Sequence, residues 1–228
     1  MAGQLLLVIS MPRKALDRSD LLPYHVTARA NNREPFPGAL REVWNVLTDE
    51  AWCISALYQV EFQALVLMPN HIHAIITVPK YDLGKVMNCF MSSVTRIINT
   101  RTGRSGHLFG GPYHWSLIEG TRYFGHALKY VYRNPVKAGL CSSAEDWPYS
   151  TLAGLIGNAA LPIPIHYTRP GMELGLPLDR ACEFLNWLNR PFPSEAEKLI
   201  GEGLKRKRFD AGVKRSSRRK LRILDDAL

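Results

Sequence analysis

From residue 24 to residue 134 the chain switches between two hydrophobic periods. Residues 24–30 mix β-branched and aromatic side chains and predict a strand. Residues 38–57 place Leu40, Val43, Trp44, Leu47 and Trp52 along a helical stripe. Residues 60–67 and 72–78 are two apolar runs bent at Met68-Pro69-Asn70, which predicts paired strands. Residues 82–100 are again helical, with Leu83, Val86, Met87, Phe90, Val94, Ile97 and Ile98 on the buried side. The glycine-rich, basic stretch 101–111 predicts a loop and 113–118 a last strand. Residues 121–134 form a helix through Phe124, Ala127, Leu128 and Val131, with Pro135 ending it and Gly139 in the turn beyond. The order β-α-β-β-α-β plus a helix predicts an α+β, ferredoxin-like fold: an antiparallel sheet with helices on one face. Its other face, left open, would suit single-stranded nucleic acid.

After residue 152 the pattern weakens. Residues 153–170 are rich in Gly, Ala and Pro and read as a linker. Short helices follow at 180–189 and 194–201, the second with Ser194 as N-cap. The expected organisation is an N-terminal extension (1–10), one domain (11–152), and a linker with short helices and a basic tail (153–228).

Composition narrows the class. With 228 residues and 46% hydrophobic side chains, the chain can bury one sizeable core. Cys53, Cys89, Cys141 and Cys182 are scattered without a C-x-x-C pair and are expected to be buried and reduced. No run approaches a membrane span, and residues 5–9 are too short for a signal segment, so a soluble, cytoplasmic, nucleoid-associated protein is expected. The net charge of +9 is concentrated at the C-terminal end. Lys205, Arg206, Lys207, Arg208, Lys214, Arg215, Arg218, Arg219, Lys220 and Arg222 accompany one acid, Asp210, and the rest of the chain is balanced. Such a block binds polyanions by releasing condensed counterions.

Candidate chemistry centres on His71 and His73. At positions i and i+2 of a strand they point to one face, where two imidazoles can chelate a divalent metal or simply be polar residues on an exposed surface. Tyr130 and Asn134, four apart, share a helix face. The segments Met68-Pro69-Asn70-His71-Ile72-His73-Ala74-Ile75-Ile76 and Tyr130-x-x-x-Asn134-Pro135-Val136-Lys137-Ala138-Gly139-Leu140, about 60 residues apart, together resemble the single-tyrosine HUH transposases. Within these the chain is most similar to the REP-associated tyrosine transposases, relatives of the insertion-sequence-200-like enzymes. Tyr24 to Arg33 and Asp146-Trp147-Pro148-Tyr149-Ser150 add to the resemblance, which covers about residues 11–151. Arg29-Ala30 departs from the more usual Arg-Gly.

The resemblance implies cleavage and rejoining of single-stranded, hairpin-containing DNA through a 5′-phosphotyrosine. Tyr130 would be the nucleophile, His71 and His73 the metal ligands and Asn134 a helper ligand. Two imidazoles and an amide oxygen, without thiolates, suit Mg²⁺ or Mn²⁺. Tyr132 competes with Tyr130, but two positions along a helix turn it about 200° away. Arg29, Arg33, Arg104, Arg122 and the basic stretch with Lys205, Arg206, Lys207, Arg208, Arg218 and Arg219 are candidate DNA contacts, and Tyr113 and Trp115 candidate stacking residues. His25 is expected to be structural. Two other readings stand beside transposition. One is a non-catalytic DNA or RNA binder using the same sheet. The other is a small zinc hydrolase, for which Glu119 is the nearest general base. A homodimer is compatible with the sequence.

Overall fold

A computed structural model describes residues 16–167 and 180–209. Five strands form one sheet: β1 (Tyr24–Arg29), β2 (Glu61–Met68), β3 (His71–Thr77), β4 (His114–Ile118) and β5 (Arg208–Phe209), in the order β2-β3-β1-β4-β5. The first four pair antiparallel, as the ferredoxin-like order requires. The two-residue β5 joins β4 in parallel and makes the sheet mixed.

Two helices cover one face: α1 (Leu40–Tyr58) and α2 (Leu83–Thr102). The core beneath them takes Tyr24, Val26 and Ala28 from β1, Phe62, Leu65 and Leu67 from β2, and Ile72, Ala74 and Ile76 from β3. A register shift between Phe62 and Ala64 moves the alternation of β2 by one residue. In α1 the buried stripe is Val43, Val46, Leu47, Ala51 and Ile54. Trp52, expected inside, is 56% exposed, because it lies a quarter-turn beyond Ala51. Asp82 caps α2, its carboxylate accepting from the Gly84 and Lys85 amides at 2.8 and 3.3 Å.

The opposite face is not open. It is covered by α3 (Thr121–Lys137), α5 (Ala181–Asn189) and α6 (Ser194–Gly203), with the short α4 (Leu152–Leu155) beside them. A second core joins Ala64, Val66, Met68 and Ile75 of the sheet to Phe124, Leu128 and Val131 of α3, Phe184 of α5 and Ile200 of α6. Strand β2 is therefore apolar on both alternations, as strands covered on two sides are.

Helix α3 also runs further than expected. Pro135 sits inside it, buried, and the helix ends at Lys137. Only one amide is lost at Pro135, and the last turn is closed by Ala138 N–H to Asn134 O and Leu140 N–H to Pro135 O, both 3.0 Å. Ser194 is the first residue of α6 and not its cap; Pro193 holds that position without a side-chain bond. Three cysteines are half-buried and Cys182 is exposed, all as free thiols, so the expectation that all four are buried does not hold. No described helix is long and apolar enough to cross a membrane.

Segments 147–151 and 165–166 lie along the outer edge of β2. Leu67 N–H donates to Tyr149 O (2.9 Å), Thr151 N–H to Leu65 O (3.0 Å) and His166 N–H to Phe62 O (2.8 Å). Trp147 Nε1–H reaches Leu67 O at 2.8 Å.

Candidate active site

The polar alternation of β1 and β3 meets α3 on the second face. His73 pairs with Thr27 and His71 with Arg29 across the ladder, so His25, Thr27 and Arg29 share a face with the two histidines. The His71 and His73 rings lie 4.9 Å apart, centroid to centroid. Tyr130 of α3 stands edge-on to the His73 ring at 6.1 Å and to the His25 ring at 6.4 Å, within the same chain. It is half-buried, as is Asn134 one turn on, whose Nδ2 donates weakly to Tyr130 O at 3.4 Å. Tyr132 faces the other way. Its fully buried hydroxyl lies 2.9 Å from Thr151 Oγ1.

His25, expected to be structural, places its Nε2 2.9 Å from His73 Nδ1, with the rings stacked at 18°. The signal was present in the polar alternation His25, Thr27, Arg29, which matches the face of the histidine pair. His71 Nδ1 is likewise engaged, at 2.7 Å from Asn70 Oδ1. The Leu204 backbone is near enough to His25 to favour its protonation slightly, but His25 Nδ1 lacks an aligned hydrogen bond.

Burial keeps all three imidazoles neutral. It pushes His71 down to about 4, with Arg29 adding repulsion. It pushes His25 down to about 3, with His114 adding repulsion. His73 is held well below the ordinary histidine range by burial first, then by His25, His71 and Arg29. Neutral imidazole is the form that binds metal. With the Nδ1 atom of each ligand candidate engaged, Nε2 of both remains for a cation, and Asn134 retains its amide oxygen. The donor set therefore fits a hard divalent ion completed by substrate oxygens. Among the described residues no group of three His, Cys, Asp or Glu is placed to hold a metal.

The remaining candidates divide by place. Arg29 is exposed beside His71. Arg33 has a left-handed backbone (φ 61°), and its carbonyl accepts from Asn70 Nδ2 at 2.7 Å. Arg104 is exposed after α2, and Arg122 lies exposed in the first turn of α3. Tyr113 and Trp115 line a groove of about 1020 Å³ between α2 and the β4 edge, together with Arg96, His107, Lys205 and Lys207. Burial raises the Tyr113 phenol to about 12, helped by Asp82, so it stays protonated. His114 Nε2–H donates to Lys205 O at 2.9 Å. Arg206 is exposed in the turn before β5. Arg208 is engaged elsewhere: it pairs with Asp17 at 2.8 Å and with Glu119. These pairs compete with phosphate for Arg208 and occupy Glu119, the general base a zinc hydrolase would need. Arg218 and Arg219 lie outside the described residues.

The family model "Transposase IS200 like" matches residues 18–134, just over half the chain. A REP-associated tyrosine transposase of Escherichia coli (strain K12) is 32% identical over 105 residues, which are 45% of this chain and 61% of that protein. A counterpart from Haemophilus influenzae is 27% identical over 105 residues, covering 41% of this chain and 60% of that one. The chain thus spans about 60% of the length of these relatives. A solved REP-associated tyrosine transposase bound to a REP hairpin superposes with a TM-score of 0.56 at 21% identity, covering 72% of this chain and 96% of that one, a likeness of fold. The matched residues 18–134 include His71, His73, Tyr130 and Asn134, and the chain belongs to the IS200-like transposase family.

Proposed function

We propose that this chain cleaves and rejoins single-stranded DNA carrying a hairpin, through a covalent 5′-phosphotyrosine on Tyr130. The observation that carries the reading is the Tyr130 ring edge-on to His73 at 6.1 Å within one chain of this family. His71, His73 and Asn134 would hold Mg²⁺ or Mn²⁺, which when bound withdraws charge from the scissile phosphate. The Tyr130 oxygen attacks phosphorus, the P–O3′ bond breaks, the phenol proton leaves to solvent, and the departing 3′-oxygen takes up a proton from solvent to become a free 3′-OH. Attack by a 3′-OH on the phosphotyrosine reverses the step. One phosphodiester replaces another, so no ATP is needed. Arg29 beside His71 would draw the phosphate in, and the groove of Tyr113, Trp115, Lys205 and Lys207 would take neighbouring nucleotides by stacking and charge. That a relative is solved with a REP hairpin supports a palindromic DNA partner here.

The test is incubation of labelled hairpin oligonucleotide with Mn²⁺, followed by a denaturing gel. Wild type is expected to give a protein–DNA band and Tyr130→Phe none, with Tyr130→Phe still binding the hairpin. DNA bound and left intact by wild type would favour a non-catalytic binder instead.

A further inference from the structure

Helix α3 carries a third polar side chain on the stripe of Tyr130 and Asn134. Positions i, i+4 and i+7 lie on one face, and Lys137 occupies the third. It is there because the helix continues through Pro135 for one more half-turn. Its ammonium lies 5.6 Å from the centre of the Tyr130 ring. The side chain is not a loose surface lysine, because Glu197 of α6 holds it at 3.4 Å. The same helix walls the nucleophile: a Cβ built on Gly201 would stand 3.7 Å from both Cε2 and the hydroxyl of Tyr130. Thus α6, which lies outside the family-matched residues, confines the phenol on one side and tethers a cation beside it.

We propose that Lys137 is a further catalytic residue, contacting the non-bridging oxygens of the phosphate that Tyr130 attacks. This rests on the tyrosine-nucleophile reading above. An ammonium has three N–H donors. One is committed to Glu197, and the others are available to an anion arriving at the Tyr130 hydroxyl. In cleavage, the Tyr130 O–P bond forms and P–O3′ breaks, while Lys137 keeps its protons and balances charge that concentrates on phosphate oxygen. In the return step the same cation faces the departing phenolate. The tether matters because a charge fixed in place before reaction costs no reorganisation when the transition state forms. Lys137 remains 47% exposed, so it is open to substrate and its replacement leaves the core untouched.

The test measures single-turnover adduct formation with a hairpin oligonucleotide and Mn²⁺, alongside hairpin affinity at fixed salt and thermal melting. Lys137→Met is expected to slow the adduct step about 10- to 100-fold. Affinity should change by no more than a small factor, melting should be unchanged, and Lys137→Arg should restore most of the rate. Equal loss of affinity and rate, a rate like wild type in Lys137→Met, or failure of Arg to rescue would overturn it. Absence of any adduct from wild type would overturn the tyrosine-nucleophile reading and this one together, whereas a wild-type adduct with an unaffected Lys137→Met variant removes only the lysine's role.

Discussion

Lys129 places a cation inside the second core, 1% exposed, with the rings of Trp187 and Phe192 at 5.2 and 5.0 Å. Burial lowers its pKa to about 8, and Arg133 and Arg190 add repulsion. Arg133 itself is held by the carbonyls of Leu188 and Asn189, at 3.3 and 2.6 Å, and cannot move away freely. In the unfolded chain a lysine keeps its proton to about 10.4. Between these values the unfolded state binds more protons than the folded one, so stability rises with pH over that window and the full penalty stands below it. Lys129→Met removes the linkage. The stability difference between wild type and Lys129→Met, from urea unfolding at pH 7 and near pH 10, is expected to shift toward wild type by on the order of 2–3 kcal/mol. A difference that stays constant with pH would contradict the assignment. Sequence alone held no hint of this lysine's burial: it sits between Leu128 and Tyr130, and Trp187 of α5 with Phe192 beyond it close over it.

At the scale of elements, the segment that follows α3 ties the tyrosine helix to the sheet. Tyr132 meets Thr151 Oγ1, Thr151 pairs with Leu65, and Trp147 donates to Leu67 O. Trp147→Phe keeps most of the ring volume and removes the donor, leaving a buried carbonyl unpaired. It is expected to cost about 1–3 kcal/mol in denaturant unfolding. A loss well under 0.5 kcal/mol would show the carbonyl re-satisfied by water. These long-range ties also explain what the sequence could and could not reveal. Strands and helices up to α3 were legible because each repeats its period over several turns or residues. The double cover of the sheet was legible in principle, since Phe62 to Met68 is buried on both alternations, yet periodicity does not say which elements provide the second layer. The reach of α3 past Pro135 was hidden because proline is expected to stop a helix. Strand β5 was invisible: two residues carry no period. The histidine pair and Tyr130 stood out through the motifs that carry them, while Glu197 and Gly201 join Tyr130 only by virtue of the tertiary fold.

For the molecule as a whole, the sheet has little free edge. On the β2 side, segments 147–151 and 165–166 take up hydrogen-bonding groups of Phe62, Leu65 and Leu67. On the β4 side, β5 pairs with Leu117 and Ile118. A covered edge disfavours strand pairing between copies, so copies are not expected to associate through β2. This bears on catalysis, because Tyr130 already stands beside His73 of its own chain. If the tyrosine acts within one chain, a protein lacking the nucleophile and a protein lacking a ligand cannot complete each other. Mixing Tyr130→Phe with His71→Ala, each inactive alone, is therefore expected to give no adduct with hairpin DNA and Mn²⁺. If copies exchange their tyrosine helices, the mixture contains sites that join an intact phenol to an intact histidine pair. The adduct would then reappear, at about a quarter of the wild-type yield if equal amounts exchange at random, and the single-chain site would have to be abandoned.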